Sequence, residues 1–105
     1  MLELLKELCS IYAVSSDESK VTDYIIEKIK DIEGVSFSVD ALGSVIVFKK
    51  GKNQSKNKVM LDAHMDEVGF IITDIDENGF LRFSTVGGID ESVLLGRRVV
   101  VGQRL

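Results

Sequence analysis

Apolar residues at Leu4, Leu5, Leu8, Ile11 and Tyr12 recur at helical spacing, which predicts a short amphipathic helix over the first dozen residues. Cys9 lies inside that run and is expected in the core. The pattern breaks at "AVSSDES", where Ser15 and Glu18 stand three apart as in a capping box, whose side chains satisfy the free amides of a helix start. A second helix is predicted from there. It packs Val21, Tyr24, Ile25, Ile29 and Ile32 on one side and shows Glu27, Lys28 and Lys30 on the other, with Gly34 placed to end it in the left-handed conformation.

From Val35 the period changes to two. Val35, Phe37 and Val39 alternate with Ser36, Ser38 and Asp40, which predicts a strand covered on one face. "DALGS" supplies a turn, Val45 to Phe48 a second strand, and the lysine-rich "KKGKNQSKNK" an exposed connection. Val59 to Ala63, apolar except for Asp62, predicts a strand inside a sheet covered on both faces, and His64 stands where that strand ends. "GFIITDIDENGFLRFSTVGG" then predicts two alternating strands joined through "DENG", with Asn78-Gly79 as the hairpin signal, and "LLGRRVVVGQRL" a last strand over Val99 to Val101. There is no internal repeat and no low-complexity tract.

Composition narrows what such a chain does. A length of 105 residues suits one small core, and 45% hydrophobic with 29% charged residues describes a chain that folds. A formal charge of -4 and a pI near 4.9 provide no footprint for a phosphate backbone, so nucleic acid is excluded as the main partner, and an anionic membrane surface is disfavoured. One cysteine makes no internal disulfide. No basic start followed by a long apolar run marks a signal peptide or a span, so the cytoplasm is the expected compartment. Asn53-Gln-Ser55 matches a glycosylation acceptor, a three-residue pattern that arises by chance.

The chemistry concentrates in "LDAHMDEVGF", where the single histidine sits between two aspartates. At the carboxyl end of a strand, where open α/β sheets bind ligands, the His64 imidazole is placed to hold a metal such as zinc. Asp66, two residues on, is placed to accept the other imidazole proton and so set the tautomer. The competing reading is a structural histidine donating to a backbone carbonyl. Asp62 and Glu67 are either further acids of the site or residues on a solvated edge. A catalytic zinc takes three protein ligands and water, and a two-metal site more. This chain offers one histidine and no second compact ligand cluster. It also lacks a Gly-x-Ser-x-Gly elbow, a phosphate-binding glycine loop and a Cys-x-x-Cys pair, which removes support for serine, nucleotide and thiol chemistry.

Taken together, "LLKELCSIYAVSSDESKVTDYI", "DALGSVIVFKKG", "VMLDAHMDEVGFIITDIDENGFLRF", "VGGID" and "LLGRRVVV" resemble the amino-terminal part of the co-catalytic-metal aminopeptidases. That family includes the glutamyl aminopeptidases, the deblocking aminopeptidases and the tetrahedral TET peptidases, and some members have carried the name endoglucanase. The resemblance runs over essentially the whole chain. It implies that His64 is the first metal ligand and Asp66 the neighbouring catalytic aspartate. It also implies hydrolysis of the amino-terminal peptide bond of peptide substrates by water activated on two divalent metals, zinc or cobalt, with a glutamate as general base. That glutamate, the bridging aspartate and the other ligands belong to family motifs that no stretch here matches. One smaller departure is Ser16, where the family usually has glycine.

The implied fold is α/β: two helices and then strands of a mixed sheet, forming the amino-terminal part of a catalytic domain over residues 1–69. Residues 70–105 would open an inserted β-rich domain used in assembly. On this reading the chain is a truncated metalloaminopeptidase, inactive alone and binding metal weakly or not at all, and a homo-oligomer is expected. The alternative is a non-catalytic piece or assembly domain that self-associates through exposed strands. A carbohydrate hydrolase would need two carboxylates roughly 5 or roughly 6.5–9.5 Å apart across a sugar bond, and ranks last.

Overall fold

Met1–Glu67 and Val68–Leu105 form two separate units of the computed structural model, which describes residues 1–53 and 56–102. Gln54 and Ser55 of the glycosylation pattern, and Gln103 to Leu105, lie outside the described residues.

The first unit opens with helix α1, Leu2–Cys9. It is shorter than the dozen residues predicted. Ser10 ends it, its amide bonding Glu7 O at 3.1 Å and its hydroxyl donating back to Lys6 O at 2.7 Å. Cys9 is exposed, contrary to the core placement expected for it. It borders a groove lined by Leu8, Ile11, Val21 and Ile25 and, from further along the chain, by residues 63–67. Helix α2, Ser19–Ile29, starts later than the capping-box reading placed it. The Ser15 hydroxyl is turned away to Asp66, and Glu18 takes the Ser16 amide at 2.7 Å, so the reciprocal box does not form. Glu18 is instead the residue whose carbonyl accepts the first helical amides, those of Val21 and Thr22. Gly34 adopts φ +75° as predicted, but in a turn beyond the helix end rather than as its cap.

The two helices are joined through polar side chains. Glu7 accepts from the Tyr24 hydroxyl and from Lys28 Nζ at 3.0 Å, while that ammonium lies 5.0 Å from the centre of the Tyr24 ring. The Tyr24 hydroxyl, ahead of Lys28, holds the Glu7 carboxyl below its ordinary range. Among the described residues only Ala13 and Val21 are buried, at 2% and 5% exposure. Burying a side chain such as Val21 contributes about 1.5–3 kcal/mol, so this unit holds little apolar stabilisation of its own.

Strands β1, Val35–Val39, and β2, Val45–Lys49, pair antiparallel in the register Val35 with Lys49 through Val39 with Val45. The alternation predicted this hairpin, but Phe37 and Val39 are exposed, so neither face is covered as expected. The predicted strand at Val59 to Ala63 is absent. Its residues have no strand assignment, and Val59, Met60 and Leu61 are 88%, 88% and 93% exposed. Apolar side chains alone do not make a strand; the backbone amides and carbonyls need a neighbour, and none of the described strands lies beside this segment. The mixed sheet expected there is therefore not formed. What the described residues contain is two separate two-stranded antiparallel sheets and one isolated parallel bridge, Val14 with Glu67.

In the second unit, β3, Gly69–Ile75, and β4, Leu81–Val86, form the hairpin that the alternation and "DENG" predicted. A bulge between Ile72 and Asp74 leaves Thr73 without a partner across the ladder. Phe70 and Phe83 meet edge to face with ring centres 4.9 Å apart. A single 3₁₀ turn follows at Glu91–Val93, started by the Asp90 carboxylate, which accepts from Ser92 N at 2.9 Å. The strand predicted over Val99 to Val101 is not formed; all three valines are exposed, and among the described residues no partner strand lies beside them.

Candidate functional site

The candidate site is built by two short pieces of chain that lie side by side although 51 positions separate them. Residues 13–15 meet 66–67 in the parallel bridge: Glu67 N donates to Ala13 O at 2.8 Å and Ser15 N to Glu67 O at 3.3 Å. The Glu67 side chain closes the arrangement by accepting from Ala13 N at 3.3 Å. Glu67 is exposed, and this contact ties its carboxylate to backbone. Beyond Ser15 the chain turns sharply. Asp17 N bonds Val14 O at 2.8 Å, and Ser16, at φ +79°, takes the position of a type II turn that demands a positive φ and normally selects glycine.

The turn and bridge bring Ser15 to Asp66. Ser15 Oγ donates to Asp66 Oδ2 at 2.6 Å, and the other carboxylate oxygen, Oδ1, lies 3.0 Å from His64 Nδ1. The same imidazole nitrogen is 3.0 Å from the Asp66 backbone carbonyl. A carboxylate and a carbonyl only accept, so Nδ1 carries the proton and Nε2 carries the lone pair. Both readings of His64 thus find their contact: it donates to a backbone carbonyl and to the carboxylate two residues on. The Ser15 hydroxyl first, and then His64, hold the Asp66 carboxyl below its usual range, so it is ionised at neutral pH and suited to accept rather than donate a proton.

Exposure separates the members of the site. The His64 side chain is 85% exposed and that of Asp66 37%. Both border a cleft of ≈ 850 Å³ whose wall also includes Glu18, Thr22, Val45 and Asp62. A solvent-facing imidazole with its lone pair on Nε2 and its Nδ1–H on a carboxylate is the arrangement in which histidine binds divalent metals. Among the described residues, however, no group of three or more His, Cys, Asp or Glu side chains is assembled to hold an ion. Asp62 is exposed and borders the cleft, with no contact to His64 or Asp66 among those found. The Ser15 hydroxyl bonds the carboxylate and not the imidazole, which is not the Ser-His-Asp arrangement of a serine hydrolase.

The model of the M42 glutamyl aminopeptidase family matches residues 43–104, and the chain belongs to that family. A protein of Acetivibrio thermocellus, named provisionally as an aminopeptidase, is 46% identical over 99 residues, which are 94% of this chain and 29% of that one. Among solved structures, a Thermotoga maritima protein named endoglucanase superposes with a TM-score of 0.75 at 42% identity, over 86% of this chain and 28% of its own. The Pyrococcus horikoshii TET1 peptidase, which assembles into a tetrahedron or a large octahedral shell, superposes with a TM-score of 0.71 at 40% identity, over 85% of this chain and 26% of its own. The chain spans less than a third of the length of each of these relatives.

Sequence reasoning missed Ser15, which it placed in a helix cap. No signal within the motif pointed to it, because the carboxylate it reaches lies 51 positions away.

Proposed function

We propose that this chain carries the first part of a metal-dependent aminopeptidase site, with His64 as a metal ligand through Nε2 and Asp66 as the carboxylate that orients it. The observation that carries the reading is the 3.0 Å contact from His64 Nδ1 to Asp66 Oδ1, which leaves Nε2 as the nitrogen available to a ligand on an exposed residue that borders the cleft. Membership of the M42 family, whose peptidases are metallopeptidases, supports it. An exposed imidazole and carboxylates fit zinc or cobalt as donors, but one histidine with no assembled acid cluster is a partial set. Two such ions, when bound, would supply Lewis acidity toward a peptide carbonyl and a water nucleophile at neutral pH. The chain's own share is narrower. Asp66 holds the imidazole in one tautomer and one direction, and Glu67 and Ala13 hold Asp66 in place. We assign no bridging ligand and no general base to any residue here.

The domain reading goes with it: residues 1–69 as the opening of the catalytic domain and 70–105 as the opening of an inserted β-rich domain. The separation of contacts between Glu67 and Val68 supports that boundary. A homo-oligomer in solution is proposed from the assembly of the TET1 peptidase and from the exposure of Ile71, Ile75 and Phe83 on the β3–β4 hairpin. No described helix is long and apolar enough to cross a membrane.

The test is calorimetric titration of the 105-residue chain with Zn²⁺ and Co²⁺, followed by an assay on an amino-acid arylamide and sedimentation velocity. The reading expects metal binding that His64→Ala removes, no turnover by this chain alone, and association that Ile71→Lys weakens. Turnover by the chain alone that His64→Ala abolishes would overturn its inactivity, and metal binding unchanged by His64→Ala would overturn the assignment of the ligand. A chain that self-associates but binds no metal is the non-catalytic assembly piece.

A further inference from the structure

We infer that Ser15 is a positioning residue of the site, holding the Asp66 carboxylate in the one orientation that presents His64 Nε2 outward. The role rests on the metal reading of His64 for its purpose, while its geometry stands without any metal.

Asp66 needs such a partner because the bonds between Ala13 and Glu67 fix the neighbouring backbone and leave the Asp66 side chain to rotate. It follows an irregular segment without strand pairing, and its side chain is partly exposed. The terminal torsion of an aspartate is broad, so a carboxylate held at one oxygen can rotate and trade its two oxygens. Ser15 removes that freedom. Its hydroxyl sits 2.6 Å from Oδ2 while His64 Nδ1 takes Oδ1, so each oxygen has its own donor. A hydroxyl-to-carboxylate bond of this length is charge-assisted and among the stronger hydrogen bonds of proteins.

Ser15 is itself held from behind. Its amide bonds Glu67 O, the turn bond from Asp17 N to Val14 O closes over it, and two residues earlier lies Ala13, one of the two buried residues. Ser16 adopts the left-handed conformation so that the chain can turn there. Order therefore passes from a buried backbone through the Ser15 hydroxyl and the Asp66 carboxylate to a largely exposed imidazole, whose other contact is the Asp66 backbone carbonyl at 3.0 Å. A serine whose only task was to cap α2 would bond an amide of that helix, and this one bonds a carboxylate.

The single histidine makes the test direct, since the imidazole nitrogens of the ¹⁵N-labelled, metal-free chain give one set of NMR signals. At a pH well above the ordinary imidazole pKa, the parent chain is expected to show the Nδ1–H tautomer in excess. Ser15→Ala shifts the ratio toward Nε2–H by a few fold, about the scale of weakening one of the two Nδ1 contacts, because the Asp66 backbone carbonyl still accepts from Nδ1. Ser15→Thr, which keeps the hydroxyl, restores the parent ratio. An unchanged ratio in Ser15→Ala, or a Ser15→Thr chain that behaves like it, overturns the inference. If Ser15→Ala loses its amide dispersion, Ser15→Cys, similar in size but a weak donor, is read against the same two outcomes. Because no metal is added, failure of the ligand assignment for His64 leaves this result intact, and failure here leaves the metal titration intact.

Discussion

Asp40 and Asp76 hold equivalent places in the two hairpins, each accepting hydrogen bonds on one side-chain oxygen from the amides two and four residues further along its own loop. For Asp40 these are Leu42 N and Ser44 N, both at 2.9 Å, and for Asp76 they are Asn78 N at 2.9 Å and Phe80 N at 3.0 Å. In each loop the glycine three residues after the aspartate has a positive φ, Gly43 at +89° and Gly79 at +83°. The device is one turn used twice: "DALGS" and "DENGF" share an aspartate that gathers amides and a glycine that lets the chain cross into αL. It also refines the hairpin reading of Asn78-Gly79. Only Gly79 of the pair has positive φ, so the loop is the longer type with a single left-handed residue, not the two-residue turn in which both central residues need it.

The shared turn makes the β1–β2 hairpin sensitive to acid. The amides of Ser44 and Leu42 hold the Asp40 carboxyl below its usual range. A folded-state pKa below the unfolded one means that the stabilisation is fully present above the unfolded pKa and is lost as pH falls through the folded one. Amide-exchange protection at Leu42 and Ser44, with correction for the intrinsic exchange rate, is expected to fall as the pH drops below the ordinary carboxylate range. Asp40→Asn, which keeps an acceptor oxygen but does not titrate, is expected to flatten that dependence. Protection independent of pH in the parent chain would show that the turn does not rely on the charge.

Ser16 is the one described residue other than glycine with positive φ. A side chain in that conformation costs roughly 1–2 kcal/mol, and replacement by glycine returns part of this as added freedom of the unfolded chain. Ser16→Gly is therefore expected to stabilise the turn by about 0.5–1 kcal/mol. The readout is the exchange rate of the Asp17 amide, which bonds Val14 O at 2.8 Å. A faster rate in the variant would mean that the Ser16 side chain contributes something that its strain conceals.

How much of this was legible depended on the range of the interaction. Both hairpins and both helices were read from the residues that form them, because turn chemistry and periodicity act within a few positions. Val59 to Ala63 and Val99 to Val101 have the composition of strands, but a strand exists only beside a partner, and the described residues place none there. Cys9 failed for a related reason: a helix face becomes core only when something covers it. At the site, His64 and Asp66 were found as a pair because two positions separate them, and their contact follows from that closeness. Ser15 reaches Asp66 across 51 positions, and no spacing within a motif encodes such a contact.

In "VGG" the two glycines have different tasks. Gly87 has φ +85°, and a Cβ built on it would lie 2.9 Å from Val68 Cγ1 and 3.6 Å from Val68 Cα. Gly88 has open space around the same position and no positive φ. Gly87→Ala is expected to destabilise the end of the β3–β4 ladder by at least about 1–2 kcal/mol from the backbone term alone, with the contact adding to it. Gly88→Ala is expected to be near neutral. Amide exchange at Gly69 and Val86, the pair that closes this ladder, distinguishes them, and equal effects would refute the steric assignment.

The orientation of His64 predicts how metal affinity responds to its neighbour. If Nε2 is the ligand and Asp66 only orients the ring, then Asp66→Ala removes no donor from the metal and yet weakens it, by about 10–100-fold, the range found for partners that hold a ligating histidine. His64→Ala removes the donor itself and is expected to abolish binding at the same concentrations. Asp66→Asn separates charge from geometry: its side-chain oxygen can still accept from Nδ1, but its amide nitrogen then faces the Ser15 hydroxyl, which must turn and accept. The loss for Asp66→Asn is expected to fall between the parent and Asp66→Ala. Calorimetric titration of the four chains with Zn²⁺ orders them. An Asp66→Ala chain as defective as His64→Ala would instead make the carboxylate a direct ligand, and the 3.0 Å contact to Nδ1 would then have to break on binding.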